Sequence, residues 1–307
     1  MLLVASTGGH LAQLVRLAPG LGASDDSVWV TFENSQSISL LAGKRVVYVP
    51  YVRPRDLRGA IGAARILREV MKSEHFDLVV STGAAIAVSA LPMARLRGLR
   101  TLYIESVSRV HGPSLSGRII ALTHAAELRT QHPSWADSRW TTQPSVFSAF
   151  TRVRRQKKMK PTIFVTLGTI EGYRFDAMID RVLATGLADE STVWQLGSTT
   201  GRTDLPGTVR QEMSSDEFEN YARAADVVLT HAGVGTMLGL LDMGIYPVLI
   251  TRRKHRNEHV DDHQTQIAAL ANELEVALAV DALELDRDGV IEASGWTIVP
   301  NLAQLHT

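Results

Sequence analysis

The 307-residue sequence predicts an α/β protein built as two doubly wound domains that face each other across a cleft. Three observations lead there. Short apolar runs alternate with stretches of helical spacing, the order that gives a mostly parallel sheet covered by helices. The alternation stops at a charged stretch ending in Pro161 and then restarts. The length suits two domains at roughly 100–200 residues each.

Residues 2–5 read as a short buried strand, followed by Ser6-Thr7-Gly8-Gly9-His10 and by Leu11, Leu14, Val15, Leu17 and Ala18 at helical spacing. Val28–Phe32, Arg45–Val49, Leu78–Ser81 and Thr101–Glu105 read as further strands, with helices over Leu57–Met71 and Ala85–Leu96. Residues 1–150 therefore form the first domain. The run from Arg152 to Pro161, with six cations, is too charged for a core and reads as a solvated basic linker over 151–160. The second domain spans 161–307. Its strands are Thr162–Leu167, Thr192–Leu196, Val227–Thr230, Tyr246–Thr251 and Ala277–Val280. Its helices are Phe175–Leu187, Asp216–Ala225, Met237–Met243 and Asp261–Leu274.

Composition narrows the chemistry. With no cysteine, disulfides, thiolate metal sites and a thiol nucleophile are excluded. No run reaches the ~18 apolar residues of a membrane span, and the chain opens directly on a strand without a signal peptide, which suggests the cytoplasm and at most peripheral membrane contact. The net charge is zero, yet residues 1–160 hold 22 Lys+Arg against 10 Asp+Glu, and residues 161–307 hold the reverse. A basic first part suits an anionic surface or phosphate; a solvated charge split is the plainer account.

In doubly wound sheets ligands bind at the carboxyl ends of the strands, so the turns starting at Ser6, Ser81, Glu105, Gly168, Gly197, His231 and Thr251 should line the cleft. Gly8-Gly9-His10 opens a helix, where glycines let a ligand approach the backbone. His10, as an imidazole that ordinarily titrates near neutrality, suits a general base; the plainer account is a helix cap or a hydrogen bond to a neighbouring loop. His231-Ala232-Gly233-Val234-Gly235-Thr236 offers backbone N–H groups to a diphosphate, although close helix–sheet packing also wants glycine there. Neither domain opens on GxGxxG and no Walker A sequence occurs, which disfavours nicotinamide and ATP chemistry. The segment from Thr251 to Gln264 gathers cations beside Asp262, His263 and Gln264. So many cations argue against a divalent metal.

These motifs, in this order over residues 1–270, resemble those of GT-B glycosyltransferases related to MurG and to the two-subunit transferase that adds the second GlcNAc to dolichol diphosphate. The nearer resemblance is to PssD/PssE-type bacterial exopolysaccharide glycosyltransferases, with both subunits fused. It is carried by Ser6–His10, Ser81-Thr82-Gly83-Ala84, Ile104–Val110, Pro113–Gly117, Val165–Thr169, Thr230–Thr236 and Asp262–Gln264. It implies two Rossmann-like domains and an inverting, metal-independent transfer without cofactor. The sugar comes from a UDP-sugar, glucuronic acid being the best guess, and goes to a polyprenyl-diphosphate-linked saccharide, best guess glucose.

The resemblance also implies roles. Gly168, Thr169, Gly197, His231, Gly233, Gly235 and Thr236 would meet the donor near its diphosphate, Met213 and Ser214 its uracil edge, and Asp262, His263 and Gln264 its sugar. Arg252 and Arg253, with Lys254 and Arg256, would pair with a glucuronate carboxylate. On the acceptor side stand Gly8, Gly9, Ser81, Gly83, Ser106 and Arg109. His10 is the base and Glu105 its rival. One departure is Gly239, where MurG-like enzymes keep a ribose-binding carboxylate; Asp242 is the nearest substitute. The implied partners are a UDP-sugar, a lipid-linked acceptor and the anionic inner face of the cell membrane, met by Arg53, Arg55, Arg58, Arg65 and Arg68; no nucleic acid is expected. UDP-galactose or UDP-GlcNAc transfer, UDP-sugar 2-epimerisation and a non-catalytic UDP-sugar-binding scaffold remain alternatives.

Overall fold

The computed structural model describes residues 1–51, 57–168, 173–253, 256, 258 and 263–301, with backbone only for 57–61 and 263. The chain divides into two compact units, Met1–Val146 and a second beginning at Phe147.

In the first unit β1 (Leu2–Ala5), α1 (Gly9–Leu17), β2 (Val28–Phe32), α2 (Ser35–Leu40), β3 (Arg45–Val49), α3 (Leu57–Ser73), β4 (Leu78–Gly83), α4 (Ala85–Leu96), β5 (Arg100–Ile104), α5 (Leu115–Leu122), β6 (Glu127–Thr130) and β7 (Trp140–Thr142) follow one another. The strands form one parallel sheet in the order β3-β2-β1-β4-β5-β6-β7. Leu2 and Val4 of central β1 are fully buried, as a strand covered on both faces requires. They join a core with Val28, Val30, Leu67, Ala87 and Leu91.

The second unit begins with β8 (Phe150–Arg154), followed by β9 (Ile163–Thr166), α6 (Asp176–Ala184), β10 (Val193–Gln195), β11 (Thr208–Arg210), α7 (Ser215–Ala224), β12 (Val227–His231), α8 (Val234–Asp242), β13 (Val248–Thr251), α9 (His263–Glu273), β14 (Leu278–Asp281), α10 (Arg287–Ala293) and β15 (Trp296–Pro300). Six of its strands form a parallel sheet ordered β11-β10-β9-β12-β13-β14. Both sheets thus reverse direction of growth beside their first strand, at β1/β4 and at β9/β12. That is the doubly wound, Rossmann-like arrangement in each unit.

The expected linker is corrected. Residues 150–154 are a strand, paired antiparallel with β15 from Phe150↔Pro300 to Arg154↔Trp296. The guanidinium groups of Arg152 and Arg154 lie 4.2 and 3.9 Å from the Trp296 ring centroid. Arg154 also meets Glu292 at 2.8 Å, Lys157 meets Glu292 at 3.2 Å and Lys158 meets Asp226 at 2.9 Å. The cations are an edge ribbon bound to acidic partners of the second unit, not a solvated tether. The boundary moves back to Val146/Phe147, and the six cations of 151–160 leave the first unit's tally. It falls from 22 to 16 Lys+Arg against the same 10 Asp+Glu. Charge asymmetry between units is therefore half that expected.

Among the described residues no helix is long and apolar enough to cross a membrane. Of the arginines expected at a membrane surface, Arg65 and Arg68 are exposed on α3; Arg53 and Arg55 lie outside the described residues, as does the side chain of Arg58.

Candidate functional site

In the first unit the β1–α1 turn is set by Gly8, whose φ of 84° is open to glycine and strained for other residues. Its N–H donates to Gln36 Oε1 at 2.6 Å and its carbonyl accepts from Gln36 Nε2 at 3.3 Å, so a side chain of α2 holds both backbone polar groups of Gly8. Gly9 then starts α1, and His10 follows within its first turn.

His10 and the β4–α4 turn hold one another. The Nδ1 of His10 lies 2.7 Å from the Thr82 carbonyl, and Thr82 Oγ1 donates to the His10 carbonyl at 2.7 Å. A carbonyl only accepts, so Nδ1 carries the proton and Nε2 keeps its lone pair. Burial lowers the His10 pKa below the usual histidine value; the Thr82 carbonyl pulls it upward and the charge of Arg109 adds to the lowering. The ring is thus a neutral base at neutral pH. Gly83 is required beside it, since a Cβ there would stand 3.0 Å from His10 Cε1. Next, Ala84 adopts φ 50°, a strained conformation for alanine, concentrated at this turn.

Glu105 ends β5 fully buried. Its Oε1 accepts from the Ser106 N–H at 3.1 Å and from Tyr103 OH at 3.2 Å. Its Oε2 accepts from the Ser114 N–H at 2.8 Å and Ser114 Oγ at 3.0 Å. Four donors fill the lone-pair sites of a carboxylate, leaving none for a substrate proton. Burial raises its pKa, against the pull of those hydrogen bonds. Ser114 is also the N-cap of α5, accepting from the Gly117 N–H at 3.0 Å. A Cβ on Gly117 would come within 2.3 Å of Glu105 Oε2. Glu105 therefore anchors α5, and its four hydrogen bonds favour His10 over it as the base.

Ser81 and Ser106 are both buried and brace turns: Ser81 Oγ accepts from the Gly83 N–H at 3.1 Å, and Ser106 Oγ accepts from Gln13 Nε2 at 3.0 Å. Arg109, half-buried, remains near enough to His10 to act on its titration.

Sequence reasoning missed the glutamines. Gln13, fully buried, donates to the Gly9 carbonyl at 2.9 Å and to Ser106, while its Oε1 accepts from the Val107 N–H and from Gln131 Nε2, each at 2.9 Å. Gln131 also donates to the Glu105 carbonyl at 3.0 Å. A glutamine on the inward face of α1, two residues after an apolar position, was the available signal.

In the second unit the turn after β9 packs under its neighbour. Gly197 has φ 55°, and a Cβ there would meet the Gly168 carbonyl oxygen at 2.2 Å. The Ser198 N–H donates to that same oxygen at 3.1 Å. His231 ends β12 and Gly233 is the N-cap of α8, where a Cβ would stand 2.6 Å from His231 Nε2. Gly235 and Thr236 fall in the first turn of α8, which has no side-chain cap and no acidic residue. Its first N–H groups are available to an anion. A Cβ on Gly239 would meet nothing within 4 Å.

Ser214 is the N-cap of α7 in a capping box with Glu217, accepting from the Glu217 N–H at 3.2 Å. Met213 packs on the Phe164 cluster. Helix capping occupies the hydroxyl expected at the uracil edge.

The segment after β13 separates its cations. Arg253 Nε donates to Asp281 at 2.7 Å, and Arg256 Nη2 donates to both Asp281 oxygens at 2.6 and 2.8 Å. Burial alone would raise the Asp281 pKa, but Arg256 and Arg253 outweigh it and hold it at about 2. Arg253 is therefore held on Asp281 through its Nε, with its side chain 31% exposed. Arg252 is completely buried, and its backbone N–H donates to Gln264 Oε1 at 3.4 Å. Thr169, Lys254 and Asp262 lie outside the described residues, as does the His263 side chain.

Residues 162–287 match the family model described as Glycosyltransferase family 28 C-terminal domain. The "UDP-N-acetylglucosamine transferase subunit ALG14" of Eremothecium gossypii is 29% identical, over 44% of this chain and 75% of that subunit. MurG from Acinetobacter baumannii aligns with TM-score 0.56 at 17% identity, covering 95% of this chain and 88% of its own. A putative UDP-N-acetylglucosamine 2-epimerase from Listeria monocytogenes aligns with TM-score 0.56 at 10% identity, covering 100% and 93%. The fold is that of the GT-B glycosyltransferases, with two Rossmann-like units. The likeness to glycosyltransferase family 28 is thus carried by residues 162–287, and that to the ALG14 subunit by 44% of the chain.

Proposed function

We propose that the chain transfers a sugar from a UDP-sugar to a saccharide carried on polyprenyl diphosphate, with inversion and without a metal ion, in bacterial exopolysaccharide synthesis. The observation that carries the reading is His10. Its Nδ1–H is fixed on the Thr82 carbonyl, which leaves Nε2 as a neutral base at the carboxyl end of the first unit's sheet. Nε2 takes the proton of the acceptor hydroxyl as that oxygen attacks the anomeric carbon. UDP leaves, and uncapped N–H groups at the start of α8 stabilise its growing charge. A carbon centre attacked from the face opposite its leaving group inverts.

The preferred donor is UDP-glucuronate and the preferred acceptor sugar glucose, with UDP-galactose and UDP-GlcNAc as alternative donors. With Arg253 and Arg256 held on Asp281, this preference rests on Arg252. The distant likeness to an ALG14 subunit supports a lipid-linked acceptor and association with a membrane face, which we place on the cytoplasmic side. Arg65 and Arg68 of α3 would meet anionic lipid there.

The test is thermal stability against UDP, UDP-glucuronate, UDP-glucose, UDP-galactose and UDP-GlcNAc, followed by turnover on a polyprenyl-diphosphate-linked glucose. Ligand at 100 times Kd adds about 2.7 kcal/mol, a visible rise in Tm. One sugar nucleotide that both raises Tm and is consumed only with acceptor supports the reading. Epimer formed without acceptor would overturn it in favour of a 2-epimerase, and no response to any UDP species would favour a scaffold.

A further inference from the structure

Arg252 is a fully buried side chain of the second unit whose charge meets no hydrogen-bond acceptor among the described residues. Its Nε, Nη1 and Nη2 are all buried and all without a hydrogen-bond partner among the described residues. The Gly168 carbonyl is turned to Ser198. Gln264 Oε1 accepts from the Arg252 backbone. Glu258, whose charge reaches Arg252, accepts from the Arg253 N–H at 2.8 Å, and Asp281 is shared between Arg253 and Arg256.

The guanidinium nevertheless has a built position. It lies against Gly168, where a Cβ would stand 2.8 Å from Nη2 and 2.9 Å from Nη1, so only glycine at the end of β9 admits it. The Phe175 ring lies 5.2 Å from its Cζ on another side. Arg252 leaves the end of β13 and reaches Gly168 at the end of β9, past the end of β12 between them. That path crosses the point where the strand order reverses, where doubly wound sheets bind their ligands. A buried cation is normally paired, and a guanidinium presents five N–H donors in a planar fork that fits phosphate or carboxylate.

We propose that Arg252 is a preformed receptor for an oxyanion of the sugar nucleotide, held over Gly168 at the reversal point of the second sheet. The anion is either a phosphate of the diphosphate or the carboxylate of a uronate; both present the oxygens this fork requires. The inference rests on the proposed donor class only in taking the anion from a sugar nucleotide. It carries a second consequence: without an anion, Arg252 burdens the fold instead of supporting it, because only the more distant charge of Glu258 and the Phe175 ring offset its desolvation.

The experiment compares the full chain with Arg252→Met and Arg252→Lys. Thermal unfolding is measured without ligand and with inorganic pyrophosphate, and calorimetry is run with uridine, UDP, UDP-glucose and UDP-glucuronate. Arg252→Met is expected to melt at a higher temperature than the native chain when no anion is present, a result that a merely structural arginine would reverse. If the anion is phosphate, Arg252→Met binds UDP, UDP-glucose and UDP-glucuronate about 10–100-fold more weakly, with uridine unchanged, as loss of hydrogen bonds to a charged group predicts. If it is carboxylate, only UDP-glucuronate weakens. Arg252→Lys should fall between, keeping charge but losing the fork. Unchanged affinity for all four ligands in Arg252→Met, or a lower anion-free Tm, overturns the proposal and leaves the UDP-sugar reading standing. A native chain that ignores every uridine compound while pyrophosphate raises its Tm, but not that of Arg252→Met, sinks the UDP-sugar reading and keeps the receptor.

Discussion

The turns after β1 and β9 occupy the same station in the same strand order, yet their buried polar groups are treated oppositely. Around the first, Gln13 meets four partners and Glu105 accepts four hydrogen bonds. Around the second, Arg252 meets none among the described residues. A network satisfied from within is rigid before any ligand arrives, and suits the placing of a base. A charge left unmet calls for a counterpart from outside. The difference sets a turn whose polar groups are satisfied from within against one that holds a buried guanidinium without a hydrogen-bond partner among the described residues.

The largest expected effect probes that division directly. His10→Ala should lower kcat by about 10²–10⁴-fold, the usual worth of a general base, with UDP affinity unchanged in calorimetry. Full turnover with weakened UDP binding would exchange the roles of the two turns. Next, Glu105→Ala should destabilise the chain by about 3 kcal/mol in denaturant unfolding, since buried donors lose their acceptor at roughly 1–3 kcal/mol each. If it instead abolished turnover in a fully stable protein, Glu105 would return as the base.

A pH profile sharpens the same contrast. The active form of His10 is the neutral ring, and burial displaces its pKa downward, so neutral imidazole persists as pH falls through 6.5. The acid limb of kcat should therefore lie below 6.5 and vanish in His10→Ala. A limb above 6.5 would contradict the buried, neutral base. The smallest effect belongs to the second unit: Ser214→Ala should cost about 1 kcal/mol as a lost N-cap and leave UDP affinity unchanged. A large fall in that affinity would put the hydroxyl on the nucleotide.

Sequence alone made the two sheets legible, because buried parallel strands read as continuous apolar runs, with glycine turns after β1, β4, β9 and β12. β2, β3 and α4 were delimited as they stand. The short strands β6, β7 and β11 escaped, having neither length nor continuous apolarity; in Glu127-Leu128-Arg129-Thr130 only Leu128 is apolar. β8 was misread for a related reason. Its cations suggest solvent until Trp296 is known to lie beneath them, and pairing across more than a hundred residues leaves no local trace. At the site, residue type gave His10 but not its tautomer, which depends on a carbonyl 72 positions away. Ser81, Ser106 and Glu105 carry the right chemistry for a sugar site, but burial redirects it to turns. Arg252 and Arg253 are adjacent and chemically alike, and only Asp281 tells them apart.

The β8–β15 ribbon also sets a schedule for synthesis. Arg154 emerges from the ribosome 142 residues before its partner Trp296. At about 5–20 residues per second the wait is roughly 7–30 s. All strands of the first sheet are complete before β8 appears, so that unit can close on the nascent chain while the second still holds an arginine-rich strand with nothing to pair. Positive charge along that waiting edge keeps it soluble and discourages strand pairing between neighbouring nascent chains.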